Sequence, residues 1–168
     1  MIKRIPIYLL SLSAAGLIAI WNQEGYTDKA VIPTPGDVPT IGYGSTIKED
    51  GLPVQMGDTI TPTQAAKRSY THIQKDEVWL KKCVTAELYQ WEYDALVDHA
   101  YQYGLSKTCS STIVKEANKG NYEASCQAHL NWKKSQGRDC SLPENWGPKG
   151  CKGVWERAKW RYNKCLKG

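Results

Sequence analysis

A single stretch, residues 24–46, reads EGYTDKAVIPTPGDVPTIGYGST and limits the fold more than any other part of the chain. An uncharged run over residues 5–21 leads into it, so Glu24 stands at the end of an apolar helix. Pro33, Pro35 and Pro39, with Gly36 and Asp37 among them, then make a rigid turn between two short strands, expected over residues 30–32 and 40–43. Gly42 and Gly44 permit close backbone approach or unusual dihedrals, as the floor of a cleft requires. Asp37 lies in the turn and Thr40 just beyond it, so two carboxylates, Glu24 and Asp37, can face one cleft. That pair is the minimum equipment for breaking a glycosidic bond: one carboxyl protonates the leaving oxygen and the other positions water or supports the cationic sugar. The competing reading is a plain Gly-rich hairpin.

The chain of 168 residues and 18.9 kDa is the size of one ordinary domain, or of two small lobes sharing a helix. A formal net charge of +5 favours anionic surfaces, but the lysines are spread thinly and form no basic arm for nucleic acid. Six cysteines, Cys83, Cys109, Cys126, Cys140, Cys151 and Cys165, follow an export-like N-terminus. An even count in that setting reads as disulfides formed outside the cytoplasm. Cys140 and Cys151, close together in an irregular loop over residues 137–153, are natural partners. A zinc site is disfavoured, since no C-x-x-C pair exists and His72, His99 and His129 sit on helical stretches away from any cysteine pair.

Helix signals are strong after residue 60. Thr61-Pro62-Thr63-Gln64 is a capping box with Pro at the first helical position. It predicts one helix over residues 62–82, reaching roughly 30 Å, with Ala66, Tyr70, Ile73 and Leu80 near one face. Residues 88–103 read as a buried helix carrying Trp91, Ala95, Leu96, Ala100 and Tyr103, stopped by Gly104. At helical spacing Trp91, Tyr101 and Tyr103 read as core rather than as sugar platforms. The chain has no Phe, so each buried Tyr or Trp needs a polar partner. Ser110 or Ser111 caps a helix to Asn118 that Gly120 closes, Asn121 caps another to about Lys133, and a last helix spans residues 154–165.

At the N-terminus, Lys3 and Arg4 precede the uncharged run, which Ser11, Ser13, Ala14, Ala15 and Gly16 dilute. The run is near the short limit for crossing a bilayer, roughly 17 residues, and the two charges would hold the N-terminus in the cytoplasm. A cleaved signal peptide, with residues 13–15 as the small-residue cleavage site, and a permanent anchor are two readings of it.

Glu24-Gly25 followed by Thr40-Ile-Gly-Tyr-Gly-Ser-Thr46 resembles the phage-type lysozymes, a glycoside hydrolase family whose pattern is E-G, then D, then T-x-G-x-G-x-T. The runs at residues 90–96 and 111–122 and the terminal helix fall in that family's order, so the resemblance covers nearly all of the chain after residue 21. It implies a mostly helical α+β, lysozyme-like fold. A small β-hairpin lobe (residues 22–60) would be joined by a long helix (61–82) to a larger helical lobe (83–168), behind an N-terminal segment (1–21). The activity implied is that of an endolysin causing host cell lysis by inverting hydrolysis of the β-1,4 bond between N-acetylmuramic acid and N-acetylglucosamine. Glu24 would be the general acid, kept protonated by an apolar setting. Asp37 would stabilise positive charge and orient water, and Thr40 would hold that water. Inversion predicts a carboxylate gap of roughly 6.5 to 9.5 Å. The resemblance implies a monomer acting on peptidoglycan with no metal, cofactor or nucleic acid.

The family's aspartate stands six residues before its threonine, where this chain has Thr34, and Asp37 lies only three before Thr40. Either a rebuilt turn lets Asp37 supply the second carboxylate or the enzyme works without it. An Asp after Gly in a Pro-bounded turn can point outward, which favours Asp37. The family layout pairs Cys83 with Cys109 and Cys126 with Cys165. It also makes Arg157 a candidate partner for the Glu24 region, against a plain surface arginine.

The N-terminal run gains a third reading, similar to the signal-anchor-release segments of some phage endolysins, which insert uncleaved into the host inner membrane and later leave it for the periplasm. Residues 10–22 would then serve both as membrane span and as the helix that places Glu24. Those states exclude each other, so the tethered chain would be inactive and release would complete the site. No cysteine lies in this segment, which excludes a thiol-exchange switch through it. Two other functions compete: a lytic transglycosylase, needing one acid, and a non-catalytic wall-binding or envelope protein.

Overall fold

The computed structural model describes residues 3–33 and 36–167. The chain forms two compact units, Leu17–Lys75 and a larger one made of Met1–Gly16 with Asp76–Gly168. Two helices, α1 (Ala14–Glu24) and α2 (Pro62–Cys83), run from one into the other.

In the smaller unit, β2 (Thr27–Val31) pairs antiparallel with β3 (Thr40–Gly42), Thr27 opposite Gly42 and Val31 opposite Thr40. On the other side of β2, Ala30 N donates to the Asp58 carbonyl and Ile60 N to the Asp28 carbonyl. Ala30 and Ile41 pack inward with Val54, Ile60 and Ala65, and Tyr43 covers them. The capping box at the start of α2 is present: Gln64 N donates to Thr61 Oγ1 at 3.3 Å and Thr61 N to Gln64 Oε1 at 3.1 Å. The buried stripe of α2 is Ala65, Ser69, Ile73, Glu77 and Leu80, while Tyr70 is exposed. It is thus shifted by one residue from the expected Ala66 and Tyr70. Two polar positions belong to it because each is bonded inside: Ser69 to Trp21 and Glu77 to Tyr93.

In the larger unit the uncharged N-terminal run is not one helix. Strand β1 (Ile5–Pro6) pairs antiparallel with β4 (Glu87–Leu88), a 3₁₀ turn covers Ile7–Leu9, and helical structure begins only at Ala14. Among the described residues no helix is long and apolar enough to cross a membrane. Because Glu87 and Leu88 belong to a strand, the next helix, α3 (Gln90–Tyr103), starts two residues later than its pattern predicts. Gly104, at φ +84°, stops it. Tyr93, fully buried, donates to Glu77 Oε1 at 2.8 Å, and the half-buried Tyr103 donates to the Trp132 carbonyl at 3.0 Å, so these tyrosines have the polar partners that burial demands.

Short helices follow, α4 (Leu105–Cys109), α5 (Thr112–Asn118) and α6 (Tyr122–Ala128). Ser111 caps α5 by accepting from Val114 N. Asn121 does not cap α6. Its amide instead donates to Glu116 Oε2 at 2.8 Å. Helix α6 ends well before Lys133, and the chain passes through a 3₁₀ turn (His129–Asn131) into the hairpin β5 (Lys134–Ser135) and β6 (Arg138–Asp139). The last helix is α7 (Lys152–Lys167). Disulfides join Cys83 to Cys109, Cys126 to Cys165 and Cys140 to Cys151, the three pairs expected.

Helices α3 and α7 are tied by a buried ion cluster. Arg157 Nη2 lies 2.8 Å from Asp98 Oδ1 and Arg161 Nη1 lies 3.0 Å from Asp98 Oδ2, with Asp98 wholly buried. Four-residue spacing puts both guanidiniums on one face of α7. Arg157 is therefore a buried ion-pair partner and not the surface arginine that was the alternative. Removing Asp98 takes the shared carboxylate from two buried guanidiniums, so Asp98→Ala should lower unfolding free energy by about 3 to 5 kcal/mol in denaturant titration.

Beside this cluster His99 Nδ1 lies 2.8 Å from Thr108 Oγ1, and the His99 ring meets His129 at a centroid distance of 5.7 Å. Burial, followed by the neighbours His129, Arg161 and Arg157, pushes His99 down to about 2. Burial, then Arg161, pushes His129 down to about 3. Both folded values lie below the unfolded one, near 6.5. Below that pH the unfolded chain binds protons that the folded chain refuses, so the stabilisation is complete above about pH 6.5 and declines as pH falls. At pH 5 each histidine should cost roughly 2 kcal/mol relative to neutral pH. Replacing His129 with Gln should remove about one proton's worth of that slope, read by denaturant titration across the range.

Candidate active site

Helix α1 delivers Glu24. Gly25 adopts φ +71° and its N–H donates to the Trp21 carbonyl at 3.0 Å, a left-handed glycine closure that makes Glu24 the last helical residue. One turn back on the same helix, Trp21 is fixed twice. Its indole Nε1 donates to Ser69 Oγ of α2 at 3.1 Å, and its ring stacks on Tyr43 with centroids 5.0 Å apart and planes 14° from parallel. Tyr43 also meets Tyr26, whose hydroxyl donates to the Ile60 carbonyl at 2.9 Å.

The two glycines around Tyr43 do separate work. A Cβ on Gly42, at φ +65°, would fall 2.8 Å from Ala65 Cβ, so this glycine lets β3 lie against the first turn of α2. A Cβ on Gly44, at φ +77°, would fall 2.9 Å from Glu24 Oε2, and its three nearest atoms would all belong to Glu24. The second glycine of the Gly-x-Gly pair is thus the wall against which the half-buried Glu24 carboxyl rests.

Thr40 opens β3 opposite Val31, half-buried, and its Oγ1 donates to the Val31 carbonyl at 3.4 Å. The hydroxyl oxygen retains lone pairs that can accept from water. Asp37 is exposed on the loop ahead of β3. Thr34, the other candidate to face Glu24, lies outside the described residues. The structure therefore brings Glu24 and Gly44 together, sets Thr40 on the same β pair, and leaves Asp37 at the surface. Among the described residues no group of three or more His, Cys, Asp and Glu side chains is arranged to hold a metal ion.

Sequence reasoning missed the support of the helix end, namely Trp21, Tyr26, Tyr43 and Ser69. Part of it was legible, since Trp21 precedes Glu24 by three residues and so shares its face. The partners came from distant segments and gave no local signal. Chemically, the arrangement offers a partly desolvated carboxyl on a rigid helix end, able to give a proton to an oxygen presented beside Gly44, together with a hydroxyl and a solvated carboxylate for water.

The role of Gly44 can be measured. Gly44→Ala should cost about 1 to 2 kcal/mol from the left-handed backbone alone, with a further loss from displacing the Glu24 carboxyl. In a Glu24→Ala background the further loss should vanish, leaving the backbone part, a coupling that a double-mutant cycle by chemical denaturation reads directly.

Known proteins resemble this chain over most of its length. The phage lysozyme family profile matches residues 22–143. The endolysin of Salmonella phage P22 is 34% identical over 131 residues, spanning 78% of this chain and 88% of that protein. The SAR-endolysin of Escherichia phage N15 is 31% identical over 120 residues, spanning 70% of this chain and 66% of that protein. Among solved structures, an endolysin from Escherichia coli O157:H7 phage FAHEc1 superposes with a TM-score of 0.79 at 30% identity, covering 95% of each chain.

Proposed function

Because the chain belongs to the phage lysozyme family, we propose that it is a muramidase endolysin, hydrolysing the β-1,4 bond between N-acetylmuramic acid and N-acetylglucosamine in peptidoglycan and so lysing the host cell. Its fold is the mostly helical α+β, lysozyme-like one. The observation that carries the reading is the Glu24 carboxyl, set on a helix end fixed by Trp21 and backed by Gly44. In this reaction Glu24 protonates the glycosidic oxygen as the bond to the anomeric carbon breaks. Asp37 supports the positive charge that develops on the sugar and orients the attacking water from the opposite face. Thr40, whose hydroxyl donates to the Val31 carbonyl, accepts from that water. Bond cleavage leaves Glu24 ionised and Asp37 carrying the proton taken from water, and solvent exchange resets both.

The exposure of Asp37 favours a second reading, a lytic transglycosylase in which Glu24 alone serves as acid and then base and the product closes on itself as an anhydro sugar. We also propose that residues 1–21 tether the chain to the host inner membrane before it acts in the periplasm. The two charges ahead of the uncharged run and the likeness to a SAR-endolysin support this.

Turbidity loss on purified peptidoglycan tests the assignment. Glu24→Gln should lower the initial rate by about a hundredfold or more, and Asp37→Asn should lower it as well, with ordinary reducing ends among the products. An active Asp37→Asn chain yielding anhydro ends would select the transglycosylase, and undiminished lysis by Glu24→Gln would leave only a non-catalytic wall-binding role.

A further inference from the structure

Three carboxylates of the larger unit are buried and lie outside the candidate site: Glu77 on α2, and Glu92 and Asp94 on α3, at 7%, 6% and 2% exposure. A carboxylate at that depth requires donors, and each takes them from the same short piece of chain. Arg4 Nη2 lies 2.7 Å from Glu92 Oε1 and Arg4 Nε lies 3.0 Å from Glu92 Oε2. Leu12 N donates to Glu77 Oε1 at 2.7 Å. Ser13 donates twice to Asp94, from N at 3.0 Å and from Oγ at 2.6 Å. Each acid also keeps a bond from its own surroundings: Tyr93 Oη to Glu77, Tyr89 N to Glu92 and Gln90 Nε2 to Asp94. The acids would thus stay oriented without the segment, but each would have fewer donors than its burial calls for.

We infer that Glu77, Glu92 and Asp94 form a preorganised receptor for residues 4–13, and that filling this receptor draws the N-terminal segment out of the membrane. The inference rests on reading that segment as a tether. A span through lipid needs a continuous helix whose backbone N–H groups bond to its own carbonyls. Docked, the same residues form a two-residue strand and a 3₁₀ turn, and the amides of Leu12 and Ser13 are given to acids. One segment cannot hold both bond sets. The receptor selects a guanidinium followed by an uncharged, extended stretch. Arg4 enters over the faces of Tyr122 and Tyr89, 3.5 and 4.3 Å from the ring centroids, so the charge that must cross the bilayer arrives at a carboxylate and two aromatic faces.

The full chain expressed in a bacterial host tests this. The carbonate-resistant membrane fraction is compared with the soluble periplasmic fraction over time, for the wild type and for Glu77→Gln, Glu92→Gln and Asp94→Asn. Each substitution should raise the ratio of retained to released chain about tenfold, the factor that follows from losing one charge-assisted contact. In the released pool, trypsin should spare Arg4 in the wild type and cut it in the variants, while the disulfide-linked remainder resists. Variants that release like the wild type with Arg4 protected would overturn the receptor and leave the tether reading standing. A wild-type chain that never enters the membrane fraction would overturn the tether reading first and the receptor with it. Should an acid variant be digested throughout, Tyr122→Leu decides, because it removes a face that Arg4 docks on and leaves all three acids and the N-terminal run unchanged: retention above wild type supports the receptor, and unchanged release rejects it.

Discussion

Everything proposed for Glu24 depends on a short helix that cannot stand by itself. Helix α1 has eleven residues, Gly16 near its start, no acidic residue in its first turn and no basic residue in its last. Isolated helices of that length are marginal even in favourable sequences, and this one leaves its macrodipole uncompensated. Its order comes from its ends. At the start, Ser13 Oγ accepts from Gly16 N at 3.0 Å while donating to buried Asp94, so the cap is itself anchored. At the finish, the left-handed Gly25 and the Trp21 contacts with Ser69 and Tyr43 stop the helix at one residue. The placement of Glu24 is a tertiary property, and the Gly44 contact measures its tolerance, since one methyl group does not fit there.

Helix α3 plays the corresponding part in the larger unit. Nine consecutive residues, Glu92 to Ala100, are buried, so no exposed face tells the helix which way to turn. A helix apolar all round would find several packings of similar energy. Here the buried polar residues choose: Glu92 takes Arg4, Asp94 takes Ser13, and Asp98 takes Arg157 and Arg161. At about 100° per residue Asp94 and Asp98 share one face of α3 while Glu92 points away from both, so the three acids fix the rotation of the helix from two sides. A buried ion pair is weak support for stability compared with a hydrophobic replacement. As a means of specifying one rotation it has a clear function in this helix.

Local chemistry explains what the sequence made legible. The capping box at Thr61, the glycine stops at Gly104 and Gly120, the Ser111 cap and the short strand at Thr40 all depend on residues within a few positions of one another, and all are present. The misreadings share the opposite property. Ile5 and Pro6 form a strand only because Glu87 and Leu88, some eighty residues on, lie beside them, and two residues carry no periodicity. The buried stripe of α2 was misplaced because hydropathy favours Tyr70 over Ser69 and Glu77, whereas the fold buries the latter two with partners. Asn121 has the right chemistry for a cap, yet Glu116 claims its amide first. In the site, Glu24 and Gly44 were both legible as candidates, but their contact was not, because it joins a helix end to the second glycine past a turn.

The residues that weaken the N-terminal run as a membrane span have uses in the folded chain. Ser13 supplies the cap of α1 and two bonds to Asp94. Gly16 admits no larger side chain, since a Cβ there would fall 2.7 Å from Leu12 Cδ1 and 2.9 Å from Asp94 Cγ. Replacing Ser13 or Gly16 with Leu or Ile would make the run more apolar and would destroy the docked form, by removing the Ser13 hydroxyl from a buried carboxylate and by collision at Gly16. Under the proposed tether the composition of the run is a compromise between two environments, in which the docked form accounts for Ser13 and Gly16. A purely apolar sequence would specify lipid alone, and a sequence with more charge would never enter it. Between those limits, the proposed exchange is governed by how many polar groups of the N-terminal segment find partners in protein, and here the partners include three buried acids.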